Sequence, residues 1–178
     1  MLAVAGGDVS RLSALFDRHH RALFNFFVKM TGNRAASEDL VQDVFFRILK
    51  YRHTYRPGIP FDRWMYRIAV NARNDQARKH RGEKPWDDDA EAQVGTEPLP
   101  SEALLRAQEL VLLKRALARL TDDKREVLVL SRFQNLKHEE IAEILGVNVG
   151  AVRVRVYRAL QELKGVFFGL SGERKNEV

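Results

Sequence analysis

Arg153, Arg155 and Arg158 lie within six residues of one another, interleaved with Val154 and Tyr157. A guanidinium can bridge two phosphate oxygens or the O6 and N7 edge of a guanine, and an apolar side chain such as Val154 suits a thymine methyl. At 100° per residue, Gly150, Arg153, Val154, Tyr157, Arg158 and Gln161 share one helix face, with Arg155 at its edge. The opposite face carries Val149, Val152, Val156, Ala159, Leu160 and Leu163, which must pack on other helices. Charge runs often do no more than face water. Here Gly146 stands where a short preceding helix must stop, and Asn148 where the arginine helix needs its N-cap. Those are the parts of a helix-turn-helix that lays its second helix in a major groove. Arg158, well inside the exposed face, is the candidate for base readout, whereas Arg155 is placed for a phosphate or a neighbouring helix.

A second group spans 61–81. Its apolar stripe is Phe61, Trp64, Met65, Ile68 and Ala72, so Trp64 reads as core. Its expected wet face holds Arg63, Tyr66, Arg67, Arg73 and Asn74, and it ends in Arg78-Lys79-His80-Arg81. Arginines alternating with aromatic and amide groups suit single-stranded or opened DNA. A third group is different in kind: opposite the stripe Leu40, Val41, Val44, Phe45 and Ile48, a ridge presents Asp39, Gln42, Asp43 and Phe46. An aromatic among acids either awaits a partner protein or packs under a preceding helix rich in Phe16, Phe24, Phe26 and Phe27. The residues alone leave both open.

The elements that must carry these groups are helical. Apolar residues recur at helical spacing over 12–81 and 104–168, with almost no period-two stretches, so the fold class is all-α, two small helical domains. Helices are expected near 10–30, 37–51, 61–80, 101–120, 121–133, 138–145 and 149–167. Gly32-Asn33 ends the first, Ser37 caps the second, Pro57-Gly58-Ile59-Pro60 separates second from third, and Ser101 and Thr121 cap the next two. Between the halves, 83–102 holds Pro85, Pro98 and Pro100 and the run Asp87-Asp88-Asp89, which reads as a flexible acidic linker. That segment has seven acids and one lysine; setting it aside leaves 29 basic against 17 acidic residues, so the two helical parts carry a net +12. A polyanionic partner fits this balance. The absence of cysteine excludes disulfides and thiolate metal sites, and no metal or cofactor is expected. No apolar run approaches a membrane span and the first ten residues lack the pattern of a secretion signal, so no membrane insertion and a cytosolic location are expected.

Three stretches, SEDLVQDVFFRILK from Ser37, PFDRWMYRIAVNARNDQARKHR from Pro60 and LKHEEIAEILGVNVGAVRVRVYRAL from Leu136, resemble the extracytoplasmic-function sigma factors of the sigma-70 superfamily. The resemblance implies a division into region 2 over 1–82, a linker over 83–103, region 4 over 104–168 and a tail over 169–178. It implies that Asp39, Gln42, Asp43 and Phe46 bind core RNA polymerase, and that the 61–81 helix reads the promoter element nearest the start site. It further implies that Asn71 serves a pocket for a flipped-out base, with Asn74 and Asp75 nearby. Arg153, Val154, Tyr157 and Arg158 would read the upstream promoter DNA element, the linker would thread the polymerase cleft, and a cognate anti-sigma factor would hold the chain inactive. Ala151 and Val154 stand where the family commonly has Thr and Ser, so two hydroxyls are missing from the DNA face. A stand-alone helix-turn-helix regulator is the competing reading. A DNA-processing enzyme is a weaker one, because no metal-ligand spacing appears and Asp87-Asp88-Asp89 has nothing to hold a cation rigidly.

Overall fold

The computed structural model describes residues 1–79 and 101–175, with the side chains of 101, 102, 104, 105 and 173–175 left aside. The described elements are helices and turns. A short α1, Leu2–Ala5, precedes α2, Leu12–Thr31; α3 is Arg34–Lys50 and α4 is Phe61–Lys79. After the acidic segment, most of which lies outside the described residues, come α5, Ser101–Arg119, α6, Asp122–Leu128, α7, His138–Leu145, and α8, Val149–Lys175.

Each boundary has a local cause. Gly32 closes α2 in the left-handed region at φ 70°, where a Cβ is strained, and donates its N–H to the Val28 carbonyl. The next helix begins earlier than Ser37. Asn33 is its N-cap, with Oδ1 accepting from the Ala36 N–H at 2.9 Å. Ser37 is buried one turn later, its hydroxyl donating to the Asn33 carbonyl at 2.5 Å, so it ties the corner between α2 and α3. Thr121 takes the capping position of α6 with no side-chain hydrogen bond, and the helix then widens into a π turn over Val129–Phe133. Gly146, at φ 67°, turns the chain out of α7, and Asn148 Oδ1 accepts the Ala151 N–H at 2.7 Å to start α8. That last helix runs to Lys175, about two turns beyond the expected end near 167, and Leu170 on the extension is buried.

Leu23, Phe26, Phe27, Met30, Val44, Ile48 and Met65 form the centre of the N-terminal bundle. Val127, Leu128, Val129, Leu130, Ile141, Val152 and Ala159 do the same for the C-terminal half. These buried groups are continuous: one apolar cluster passes from α2 to α4 into α6 and α7. Full burial of side chains this size contributes roughly 1.5–3 kcal/mol each. The two halves therefore meet along α2 and α4 on one side and α6, the π turn and α7 on the other.

Candidate nucleic-acid and polymerase interface

On α8 the sequence expectation and the structure agree. Val152, Val156 and Ala159 are buried, and Arg153, Val154, Arg155, Tyr157 and Arg158 are exposed. Tyr157 is 65% exposed and Val154 47%, a large apolar area on an otherwise basic face. Arg153 lies 3.5 Å from Glu139 of α7, which leans it toward the turn. Arg155 is near enough to buried Glu126 for its charge to act on that carboxyl, in keeping with a helix partner at the edge of the face.

On α3, Asp39 and Gln42 are exposed and Phe46 is 64% exposed. The alternative that Phe46 packs beneath α2 is therefore set aside. Its neighbour Phe45 takes that position, with ring centroids 4.9 Å from Phe16. Asp43 is half-buried because Arg47 holds it at 2.9 Å and reaches Asp75 of α4 at 2.7 Å. Hydrogen bonds from Arg47, and then from Arg78, keep the Asp75 carboxyl below the usual carboxylate range. The ridge and α4 are thus joined by one charged chain, and Asp75 is committed to it.

On α4 the expectation fails in part. Arg67, Asn71 and Asn74 are exposed, but Tyr66 is only 4% exposed and Arg73 9%. Tyr66 packs edge-on to Phe26 and donates its hydroxyl to Gln134 Oε1 at 2.5 Å. Burial pushes this phenol well above its usual range, with the Asp62 charge adding to the effect, so it stays a donor. Arg73 pairs with Asp122 at 2.5 Å. Arg63, half-buried, pairs with Glu143 at 2.5 Å and with Glu140 at 3.6 Å. The reason is geometric: helical periodicity shows that Tyr66 and Arg73 lie off the apolar stripe, but not that the other half of the chain covers that second face.

Arg67 and Asn71 line an open cavity of about 430 Å³ with Tyr51, Thr54, Arg56, Ile59, Trp64 and Ile68. Trp64 belongs to both readings. It packs on Tyr55 and Phe61, yet one side of its indole faces this cavity. A wall of indole and phenol beside an amide and two guanidiniums can stack a planar base and hydrogen-bond its edge.

Sequence reasoning missed the seam between the halves. Arg125, buried, donates to the carbonyls of Leu117, Ala118 and Leu120 and, across the seam, to Met30 at 2.8 Å. Beside it, Glu126 is buried with Oε1 unpartnered, and burial pushes its carboxyl up to about 7 against the pull of Arg73. A signal was there to be found: Arg125-Glu126 leads directly into Val127-Leu128-Val129-Leu130, charges at the mouth of an apolar run.

Comparison with known proteins decides what these faces belong to. The family description Sigma-70 region 2 matches residues 15–83, and Sigma-70, region 4 matches residues 110–163. The RNA polymerase sigma factor CarQ of Myxococcus xanthus is 34% identical over 166 residues, covering 92% of this chain and 91% of that protein. The chain belongs to the ECF sigma factors of the sigma-70 family. This sigma factor is also 27% identical over 173 residues to the ECF RNA polymerase sigma factor SigW of Bacillus subtilis, with 90% of this chain and 91% of that protein covered. Its fold matches that of CnrH, solved in complex with the cytosolic domain of CnrY, at a TM-score of 0.69 and 25% identity, covering 93% of each chain. The sigma factor functions in transcription initiation with RNA polymerase on promoter DNA, and a stand-alone regulator is not favoured, because the matches span both halves. Among the described residues no helix is long and apolar enough to cross a membrane.

Proposed function

We propose that the faces divide the work of initiation as follows. Asp39, Gln42, Asp43 and Phe46 dock on core RNA polymerase. Arg67, Asn71 and Asn74 take the strand opened near the start site, one unstacked base entering the cavity beside Trp64, with Arg63, Tyr66 and Arg73 joining once the seam opens. Arg153, Val154, Tyr157 and Arg158 read the upstream duplex, and Arg155 holds α6 through Glu126. Residues 1–82 and 104–168 act as the two functional units, 83–103 as the tether and 169–178 as the tail. The chain itself performs no bond chemistry, works in the cytoplasm and is held by a cognate anti-sigma factor, just as CnrH, of like fold, was solved with the cytosolic domain of CnrY and RpoE of Bartonella quintana with the anti-sigma factor NepR.

The observation that carries this reading is Phe46. An aromatic side chain 64% exposed on a ridge of acids forgoes roughly 1.5–3 kcal/mol of burial within the chain, which a partner surface recovers. The experiment is reconstitution with core polymerase. Start-site-specific RNA is expected only when this protein is added, and Phe46→Ala with Asp43→Ala is expected to abolish co-purification with core enzyme while leaving the helical circular dichroism unchanged. Undiminished association of that variant overturns the docking assignment.

A further inference from the structure

The segment 51–60 joins α3 to α4 and builds half of the cavity: its Tyr51, Thr54, Arg56 and Ile59 line the space together with Trp64, Arg67, Ile68 and Asn71 of α4. The α4 residues are held in register by the hydrogen bonds of their own helix. The connector has only one turn of 3-10 helix, Arg52–Thr54, so its course depends on the side chains packed behind it. One tie is Tyr55. Its hydroxyl donates to the Ile59 carbonyl at 2.6 Å, and its ring meets Trp64 and Phe61 edge-on, with centroids 5.3 Å and 6.4 Å away. The other tie is α1, which packs against the Arg52–Thr54 turn.

A helix of four residues is too short to persist by itself, because its one turn does not repay nucleation. Its packing sustains it: Val4 is fully buried and Met1 rests on the apolar core, while Leu2 and Ala3 stay exposed. The Gly6 N–H donates to the Leu2 carbonyl and the Asp8 N–H to the Ala3 carbonyl, both at 2.9 Å, which turns the chain back toward α2. The region 2 match begins at residue 15, so α1 lies outside it. Neither Val4 nor Tyr55 is among the residues that line the cavity, so an influence of either on a bound base must pass through the wall.

We propose that α1, through Val4, braces the 51–60 connector and thereby sets how sharply the cavity discriminates among bases. Val4 is then a positioning residue, with the Tyr55 hydroxyl as its counterpart toward the far end of the wall. The brace rests on the reading of the cavity as the seat of an unstacked base. A wall that yields can follow each base in turn and make similar contacts to all. A wall held in place keeps the Thr54 hydroxyl and the Arg56 guanidinium at fixed positions, and a base that leaves them unpaired is penalised.

The test uses the full chain reconstituted with core polymerase and offered forked DNA whose single strand carries roughly 12 randomised nucleotides; the bound fraction is sequenced. Asn71→Ala, inside the cavity, marks the position read there as the one whose base preference it flattens. Val4→Ser is expected to flatten that same position, lowering the ratio of best to worst base about fivefold, with preferences elsewhere and co-purification with core enzyme unchanged. A second library fixes an abasic nucleotide at that position, and the unaltered chain and Val4→Ser are expected to retain it equally. Equal flattening at every position, or a deficit of Val4→Ser that persists on the abasic DNA, overturns the brace, since α1 then serves overall stability alone. An undiminished preference in Val4→Ser overturns it too. If Val4→Ser loses its helical circular dichroism, Tyr55→Phe, which keeps the ring and removes the bond to Ile59, carries the same expectations with about twofold flattening. Asn71→Ala that flattens no position overturns the cavity reading and the brace with it, whereas the other adverse outcomes overturn the brace alone.

Discussion

Arg158 and Glu126 are charged residues of opposite fate. Arg158 sits exposed in the middle of the α8 face, with no carboxylate paired to it among the described residues, and is placed to meet a base edge. Arg158→Ala is expected to cost about 1–3 kcal/mol on the best promoter site and to narrow the gap between that site and its single-base variants. A competition assay over a set of variant duplexes reads this, and an equal loss on every sequence would make Arg158 a phosphate contact. Glu126 is buried, and its carboxyl titrates near 7 rather than the usual 4.5 because desolvation disfavours the charged form. The folded state therefore binds this proton more tightly than the unfolded chain. The contribution to stability is fully present below about pH 4.5 and is lost as pH rises through 7, a change of about 3 kcal/mol. Glu126→Gln is expected to flatten that slope: denaturant midpoints of the variant and the unaltered chain should move apart between pH 5 and 8, with the variant the more stable at pH 8. Parallel pH profiles would show that Glu126 is hydrated in solution.

The helix-turn-helix depends on two short-range devices. Gly146 supplies the left-handed turn that stops α7, and the Asn148 side chain satisfies one of the free N–H groups in the first turn of α8, that of Ala151. Asn148→Ala is expected to cost about 1 kcal/mol of stability and to fray the first turn, so amide exchange at Ala151 and Val152 should accelerate. Gly150 belongs to the same device. A Cβ there would come within 3.3 Å of Asn148 Oδ1, so Gly150→Ala is expected to displace the cap despite the better helix propensity of alanine. The π turn at Val129–Phe133 has a comparable positional effect. Its wide turn brings the Gln134 N–H to the Val129 carbonyl, and Gln134 then meets Tyr66 across the seam.

The molecule as a whole is organised around Arg125. One buried guanidinium gathers the C-terminal carbonyls of α5 and the Met30 carbonyl at the end of α2, so it closes one helix and locks two halves at once. Arg125→Met keeps the volume but orphans those carbonyls, and is expected to destabilise the chain by about 3 kcal/mol or more. Because one of these bonds, to Met30, crosses the seam, the loss should also weaken the coupling of the halves, so that the single unfolding transition of the unaltered chain broadens or splits. The chain from Asp43 through Arg47 to Asp75 has a parallel role within the N-terminal half, since it connects the polymerase ridge to the strand-binding helix.

Seven of the eight described helices, the Gly146 turn, the Asn148 cap and the wet face of α8 were legible from residue order, because each rests on contacts within a few residues; the short α1 was not. The same holds for the family, whose motifs are local stretches of chain. Phe46 was legible as one of two options, and burial of Phe45 against Phe16 decided between them. Tyr66, Arg73 and Arg63 were misplaced on open surface for a single reason: their partners Gln134, Asp122, Glu140 and Glu143 lie 49 to 80 positions further along the chain. Periodicity assigns a residue to one side of its own helix and carries no information on which distant helix arrives there. Which basic face stays open and which is covered is therefore a property of how the two bundles pack, set by buried area and charge pairing across the seam.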